Sequence, residues 1–123
     1  MQISAISSSE LEVMKFLWNQ PGATMPEIVE GVQRVNSWEK STVKTLLARL
    51  IEKSLVEQRG RKRLYTYHTR VTLDEFRSEA TENLVQQAFD NSVVGIVNFF
   101  VRSGKLSSED IAELEKSLLE LKK

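Results

Sequence analysis

The feature that most constrains the fold of this chain is the spacing of its apolar residues between positions 43 and 51. They stand at intervals of 3, 1, 3 and 1, and they are Val43, Leu46, Leu47, Leu50 and Ile51. In a helix this spacing puts all of them on one arc, which is then the face that packs into a core. The opposite arc faces solvent or a partner, and it carries Ser41, Thr45, Ala48, Arg49 and Glu52.

A first shorter helix is predicted before Pro21-Gly22, a pair of residues that ends helices. Ser9 precedes the helical pattern as a candidate N-cap. The apolar residues at helical spacing are Leu11, Met14, Leu17 and Trp18. We therefore expect a helix that turns this face towards the core.

A second short helix is predicted to begin at Thr24, because Thr24 and Glu27 have the spacing of a capping box. Pro26 suits the first turn of such a helix. The expected apolar stripe consists of Ile28, Val32 and Val35. Gly31 lowers helix propensity inside this segment, yet the pattern still favours a helix.

The segment after the third helix is predicted to form a β-hairpin. Residues 55–58 and 64–68 are β-prone and flank the basic turn RGRKR at positions 59–63. Gly60 allows this turn to adopt a positive φ. Three helices followed by a hairpin is the order of a winged helix-turn-helix domain. The sequence thus predicts a mainly α fold whose first domain covers residues 1–70.

Residues 71–123 are predicted to form a second, helical region that makes a homodimer. Thr72 and Glu75 form a capping box, and Ser107 or Ser108 caps a last helix with coiled-coil-like 3-4-3 apolar spacing. Three short helices cannot bury this much apolar surface among themselves, so we expect a second copy to cover it. The predicted interface residues are Phe76, Leu84, Phe89, Val97, Phe100, Ile111, Leu114, Leu118 and Leu121.

The charges are divided unequally along a chain whose net charge is zero. Residues 1–70 hold eleven basic and seven acidic side chains, whereas residues 71–123 hold six and ten. Between Trp38 and Arg70 there are nine Lys and Arg against three Glu. This excess indicates a polyanionic partner for the first half, although a basic stretch alone is equally typical of a solvated face.

In a helix-turn-helix the second helix of the motif lies in the major groove of double-stranded DNA. Here that is the third helix, so the predicted base contacts are Ser41, Thr42, Lys44 and Thr45. The predicted backbone contacts, whose cations release counterions from phosphates, are Lys40, Arg49, Arg59, Arg61, Lys62 and Arg63. The alternative is a winged-helix module whose basic surface docks an acidic protein.

Other classes of protein are disfavoured by what the sequence lacks. There is no Cys, which excludes disulfides and thiolate metal sites and fits a cytoplasmic protein. His68 is the only histidine and has no nearby ligand partners in the sequence. No catalytic motif is visible, and neither a signal peptide nor an apolar run of roughly 18 residues is present. We expect no metal, no cofactor, no enzymatic activity and no membrane association.

Three stretches give the chain a specific resemblance. The segment WEKSTVKTLLARL at 38–50 fits W-x-x-[ST]-T-[VI]-[KR]-T-L-[LI]-x-R-L, and it is accompanied by SELEVMKFLW, GRKRLYTYH and LSSEDIAELEKSLLELKK. The chain resembles the penicillinase-repressor (BlaI/MecI/CopY) family of bacterial transcriptional regulators. The resemblance implies a homodimeric repressor of palindromic operators of TACA…TGTA type. In such a repressor the third helix reads bases, and Arg61, Lys62 and Arg63 lie in the wing.

The resemblance also implies a way of releasing DNA. Copper-responsive members use a cysteine-rich tail, and this sequence contains no cysteine. Its DNA-binding helix is nevertheless closer in sequence to the copper-responsive branch. Other members are cut by a sensor-protease at an Asn-Phe bond, and Asn98-Phe99 supplies such a bond here. Counting back from Leu106-Ser107 places the family's phenylalanine at Phe100 instead, and an ordinary helix residue within an apolar run is the simpler explanation of Asn98.

Overall fold

The computed structural model describes residues 6–123. The N-terminal residues 1–5, part of the segment in which no signal peptide is expected, lie outside this range. The elements of the described part are α1 Ser8–Asn19, α2 Met25–Val35, α3 Lys40–Glu52, β1 Val56–Arg59, β2 Thr66–Thr69, α4 Leu73–Phe89, α5 Val93–Arg102 and α6 Ser108–Leu121. The predicted mainly α fold, with three helices followed by a hairpin, is confirmed.

The chain forms two compact units, one ending at Ala80 and the other running from Thr81 to Lys123. The boundary falls inside α4, later than the expected position at 70/71. The reason is that the start of α4 belongs to the first core. Phe76 is half-buried and its ring lies 5.4 Å from that of Trp18, between centroids. Phe76, which was predicted for the dimer interface, therefore also packs against the core of the first unit.

The helix starts follow capping-box geometry. In α1 the N-cap is Ser7 and not Ser9, since the Ser7 hydroxyl accepts from the Glu10 backbone N–H at 3.1 Å and Glu10 accepts from the Ser7 N–H at 2.8 Å. Glu12 stands three residues after Ser9 with the same spacing, but the capping box forms between Ser7 and Glu10, and the Glu12 carboxylate instead accepts from the Lys15 ammonium at 3.2 Å. The box predicted at Thr72 is confirmed. Of the two caps considered for the last helix, Ser107 is the N-cap, and it forms a capping box with Asp110.

The core of the first unit lies between α1, α2, α3 and the hairpin. The apolar arc predicted for α3 is confirmed, with Ile51 partly buried and the other four fully buried. In α2 the prediction for Val35 was wrong, because Val35 is 77% exposed and Val29 is buried in its place. The buried face of α2 is centred towards Val29, which turns the last residue of the helix outwards.

Gly31 allows α1 and α2 to approach each other closely. A Cβ atom at this position would overlap the ring of Phe16 on α1. The lower helix propensity of glycine is therefore offset here by close contact between the two helices. The short second helix predicted despite Gly31 is confirmed, and the packing of Phe16 explains the glycine.

The hairpin strands are shifted from the predicted 55–58 and 64–68, and β2 is one residue shorter than predicted. Leu55 takes part in the C-terminal cap of α3 and not in β1. Its N–H donates to the Leu50 carbonyl at 2.9 Å, and the preceding Ser54 has φ 63°. Leu64 belongs to a single 3₁₀ turn, Lys62–Leu64, and donates to the Arg61 carbonyl at 3.0 Å. The antiparallel pairing therefore runs from Val56 opposite Thr69 to Arg59 opposite Thr66.

The hairpin is tied to the helices through β2. The Tyr67 N–H donates to the Ala23 carbonyl at 2.9 Å, and the Gly22 N–H donates to the Tyr67 carbonyl at 3.1 Å. This bridge joins the turn between α1 and α2 to the centre of β2. Trp18 adds a second tie beyond the strand, because its indole N–H donates to the Val71 carbonyl at 2.9 Å.

The second unit has helices but no buried side chain among its described residues in α5 and α6. Asp90 and Asn91 adopt positive φ values of 47° and 66° in the turn before α5. Ser92 then caps α5 by accepting from the Gly95 N–H at 2.8 Å. Within the part of the chain that the structure describes, no helix has the length and apolarity required to span a membrane.

A partly buried ion pair joins the start of α1 to the end of α3. The Lys53 ammonium lies 2.7 Å from one Glu10 carboxylate oxygen and 3.0 Å from the other. Burial alone raises the pKa of Glu10, but hydrogen bonds from Lys53 and from the Ser7 N–H outweigh it, so this pKa lies below its ordinary value. The resulting stabilisation is complete above the unfolded-state pKa of about 4.3 and is lost as the pH falls through the folded-state pKa.

We expect Lys53→Met to lower the free energy of unfolding by about 2 kcal/mol at neutral pH. Removing one partner of a fully buried pair costs about 3–5 kcal/mol, and the 36% exposure of the Lys53 side chain reduces this effect. The difference from wild type should shrink at an acidic pH below the lowered pKa of Glu10, because a protonated Glu10 no longer requires the ammonium. Urea unfolding at the two pH values measures both effects.

The matched control is Arg34→Met. The Arg34–Glu30 pair has the same 2.7 Å separation, but its side chains are 74% and 69% exposed. An exposed pair of this kind contributes less than about 0.5 kcal/mol. Equal losses of stability for the two variants would show that burial does not set the strength of the Glu10–Lys53 pair.

Candidate nucleic-acid interface

The exposed face of α3 carries all four of the residues predicted to contact bases. Ser41, Thr42, Lys44 and Thr45 are all exposed, while Val43 between them is fully buried. This arrangement follows from the helical period, since the buried arc fixes the rotation of α3 about its own axis. The first two turns of α3 thus present three hydroxyl groups and one ammonium group on its outer side.

Thr45 has a defined orientation on this face. Its hydroxyl donates to the Ser41 carbonyl at 2.9 Å, one turn earlier in α3. A hydroxyl has a single proton, so Thr45 can offer only its acceptor lone pairs and its methyl group to a partner. These groups match the exocyclic amines of adenine or cytosine and the methyl group of thymine in the major groove.

Lys44 lies towards α2 on the flank of the exposed face, together with Lys40 one turn earlier. The two lysines line a groove of about 400 Å³ between α3 and α2, with Met25, Pro26 and Gln33 among the other lining residues. The sequence pattern placed Lys44 on a flank of α3 but did not indicate this groove. Two ammonium groups at this edge favour contact with a polyanion.

The wing presents its cations at a tight turn. Gly60 has φ +106°, and a Cβ atom there would come within 2.5 Å of the Leu64 carbonyl oxygen. The predicted positive φ at Gly60 is confirmed, and the close approach of the backbone gives a second reason for glycine. Arg61, Lys62 and Arg63 follow directly and are exposed. No ion pair of these three is found within residues 6–123.

Arg59 differs from the other cations of the wing because it is already paired. Its guanidinium donates to the Glu57 carboxylate at 3.2 Å, and this hydrogen bond lowers the pKa of Glu57. Both side chains are exposed, so the pair is weak and easily exchanged for a phosphate contact. Arg49 is also exposed, in the last turn of α3.

Two apolar residues at the tip of the wing were not predicted from the sequence to lie at the interface. Leu64 is 79% exposed and Tyr65 is 37% exposed, next to the three cations. The β-prone pattern assigned Leu64 to a strand, in which alternate residues turn inwards. It therefore did not predict that the Leu64 side chain would be exposed. Only its position in the 3₁₀ turn, directly after two basic residues, brings it there.

The second unit exposes apolar side chains along all of its helices. Of the residues predicted for the dimer interface there, Phe89 is half-buried and the others are exposed. The exposed ones are Leu84, Val97, Phe100, Ile111, Leu114, Leu118 and Leu121. Val93, Val94, Val101 and Leu119, which were not predicted for the interface, are exposed as well. So many exposed apolar side chains in one region indicate a site of interaction with another protein surface.

Asn98 and Phe99 lie in the middle of α5, and both are exposed. The Phe99 ring contacts those of Phe89 and Phe100, at centroid distances of 5.8 and 5.4 Å. The peptide bond between Asn98 and Phe99 is thus part of a regular helix. A protease that binds substrates in an extended form would first have to unfold α5 locally.

No candidate metal site is found in the described range. His68, the only histidine, lies within hydrogen-bonding distance of the Thr66 hydroxyl, at 2.9 Å. Its imidazole also lies over Gly22, where a Cβ atom would be 3.2 Å from the ring. His68 is therefore accounted for by packing between β2 and the turn before α2. Among residues 6–123, no three acidic or histidine side chains come together in a way that would hold a metal ion.

The sequence is related to known repressors over most of its length. The chain is 27% identical over 113 residues to the methicillin resistance regulatory protein MecI of Staphylococcus aureus strain N315, and the match covers 92% of each protein. It is 26% identical over 121 residues to the penicillinase repressor of Bacillus licheniformis, which covers 98% of this chain and 94% of that protein.

A solved structure supports the same relationship. The monomeric form of Bacillus licheniformis BlaI, solved in complex with the blaP half-operator, matches 60% of this chain and 90% of its own chain. The TM-score is 0.53 and the identity is 28%. A family model described as penicillinase repressor matches residues 6–120. The resemblance seen in the sequence is therefore confirmed, and the chain belongs to the penicillinase repressor family.

Proposed function

We propose that this chain is a transcriptional repressor that acts in the cytoplasm as a homodimer on palindromic operators of TACA…TGTA type. The observation that carries the proposal is the exposed outer face of α3 beside a wing tip of three exposed cations, in a member of the penicillinase repressor family. Binding of this kind needs no catalytic group. The protein prevents transcription by occupying DNA that RNA polymerase must use.

Within this proposal the residues of α3 read the base sequence. Ser41 and Thr42 enter the major groove with the first turn of the helix, and Thr45 meets an amine or a thymine methyl with its acceptor and methyl groups. Lys44 reaches a guanine acceptor or a phosphate from the flank that it shares with Lys40. Hydroxyl groups are short, so the backbone of α3 approaches the bases closely.

The wing and the edges of α3 supply affinity with little dependence on base sequence. Arg61, Lys62 and Arg63 bind phosphates and release counterions, and Lys40, Arg49 and Arg59 add further backbone contacts. Arg59 exchanges Glu57 for a phosphate when DNA binds. The bridge between Ala23 and Tyr67 holds the wing against the helices, so that α3 and the wing tip engage the duplex together.

The second unit makes the homodimer by covering the apolar surface that it exposes. In a symmetric dimer each exposed residue meets an equivalent surface of the other copy, which suits helices that lack a core of their own. Two copies of α3 then enter successive major grooves about 10 base pairs apart. Binding of the second half-site is an intramolecular event, so dissociation of the dimer weakens operator binding far more than removal of any single side chain.

The proposed release of DNA is proteolysis of the second unit by a sensor-protease. Cleavage between Asn98 and Phe99 would divide α5 and separate α6 from the rest of the chain. The exposure of Phe99, at 54%, makes this bond reachable once the helix opens. The DNA-binding residues stay intact in this scheme, and repression ends because the dimer dissociates.

A salt titration distinguishes the contributions of base contacts and of backbone contacts to DNA binding. We expect Lys44→Ala to reduce the preference for a TACA…TGTA duplex over a scrambled duplex by about 1–3 kcal/mol. Arg61→Ala should weaken both complexes equally and lower the salt slope by about 1, because one phosphate is no longer neutralised. Fluorescence anisotropy with both duplexes, between about 50 and 200 mM salt, measures the two effects.

Lys15→Ala on α1 is the matched control for that titration, since it removes one cation outside α3 and the wing. Its affinity and salt slope should equal those of the wild type. Failure of the wild-type chain to bind at low salt, or equal affinity for both duplexes, would instead favour a protein-interaction module.

The dimer is tested at α6. We expect Leu114→Glu, at a position 45% exposed within one chain, to shift the protein from dimer to monomer in sedimentation equilibrium, because it puts a charge into the apolar interface. Affinity for a full operator should fall, whereas affinity for a half-operator should not change. Glu115→Gln on the same helix is the control and should remain dimeric. A Leu114→Glu variant that sediments as a dimer would place the interface elsewhere.

Cleavage is tested with a purified, activated sensor-protease and mass spectrometry. We expect fragments that end at Asn98 and begin at Phe99. Ser92→Ala removes the N-cap of α5, which costs about 1 kcal/mol of helix stability, and should accelerate cleavage about fivefold by favouring the opened helix. Ser103→Ala, just after α5, is a control that keeps this N-cap. A chain that stays intact between residues 97 and 101 would exclude this mode of release.

A further inference from the structure

A second concave surface of the first unit lies between α1 and the start of α4, apart from the residues assigned to DNA. This α1–α4 groove has a volume of about 530 Å³. Its floor is apolar and is formed by Leu11, Trp18 and Phe76, while Lys15, Asn19 and Arg77 supply polar groups at its rim. Small-molecule sites in proteins have volumes of roughly 300–1,000 Å³ and combine an apolar lining with a few polar groups.

The aromatic floor of the groove is held in place before any ligand arrives. The Trp18 indole N–H donates to the carbonyl of the buried Val71 at 2.9 Å, which fixes the plane of the ring. The Phe76 ring packs on it at an angle of 43°. The capping box between Thr72 and Glu75 fixes the first turn of α4 that carries Phe76. A ligand ring therefore meets a rigid surface, and little entropy is spent on ordering it.

The charged groups at the rim have the same sign. Lys15 is paired with Glu12, at 3.2 Å, and its side chain is 60% exposed, so a competing anion displaces this contact easily. Arg77 is exposed and makes no ion pair with any residue in the range 6–123. A guanidinium binds a carboxylate through two parallel hydrogen bonds, which favours a planar anion.

We propose that the α1–α4 groove binds small amphipathic organic anions, in particular monocarboxylates with an aromatic or alicyclic ring. The ring lies on Trp18 and Phe76, and the carboxylate lies at Arg77 and Lys15. Cationic ligands are repelled by the rim, and neutral ligands lack the ionic interaction. The groove shares no residue with the outer face of α3 or with the wing, so anion binding and operator binding can fail independently of each other.

The test uses the full chain and observes Trp18 directly. The chain contains two tryptophans, so a ¹H–¹⁵N spectrum shows two indole signals, and Trp38→Phe assigns them. The probes are phenylacetate, 2-phenylethanol and 2-phenylethylammonium, which differ mainly in charge. We expect phenylacetate to shift the Trp18 signal in a saturable way, the alcohol to bind at least about fivefold more weakly, and the ammonium to cause no saturable shift.

The residue at the rim is tested by Arg77→Gln, which should weaken phenylacetate binding about fivefold because it removes a charge-assisted hydrogen bond at an exposed site. Arg63→Gln in the wing is the matched control and should bind as the wild type does. Lys15→Gln replaces Arg77→Gln, with the same expected effect, if the latter no longer gives the native Trp18 signal. Equal responses to the acid and the alcohol, or unchanged binding by the rim variant, would overturn the proposal.

Discussion

The burial of the apolar arc of α3 is the constraint on which the rest of the first unit depends. Val43, Leu47 and Leu50 are fully buried, so the rotation of α3 about its axis has only one solution. The outer face, with its hydroxyls and ammonium, follows from that burial. The Glu10–Lys53 pair then joins the end of α3 to the start of α1. Because the Glu10 carboxylate is buried, we expect loss of this pair to cost more stability than loss of a surface pair.

The wing depends on that helical core through a small number of backbone contacts. Tyr67 is buried and exchanges hydrogen bonds with the turn at Gly22 and Ala23. A two-stranded hairpin is only marginally stable in water without such support. The Lys62–Leu64 turn therefore has a defined position relative to α3. In the proposed function this geometry allows sequence reading and phosphate binding to occur on one duplex.

The second unit shows the opposite balance. Its helices are well capped, at Ser92 and Ser107, yet α5 and α6 bury no side chain within the described chain. Local capping defines where these helices begin, but it cannot replace a core, because most helical stability comes from packing of the apolar face. The dependence on a second copy that we propose would make this unit a natural place to control the whole repressor.

The sequence by itself determined the element order, the buried arc of α3, the positive φ of Gly60 and the family, because these depend on local spacing and on a contiguous motif. Tertiary structure alone decided the roles of Val35, Leu64 and Phe76. Each is an apolar residue whose burial depends on where a neighbouring element ends or packs. Local periodicity does not encode the position of a neighbouring element. Val35 extends beyond the core, Leu64 is turned outwards by a 3₁₀ turn, and Phe76 is captured by Trp18 from α1.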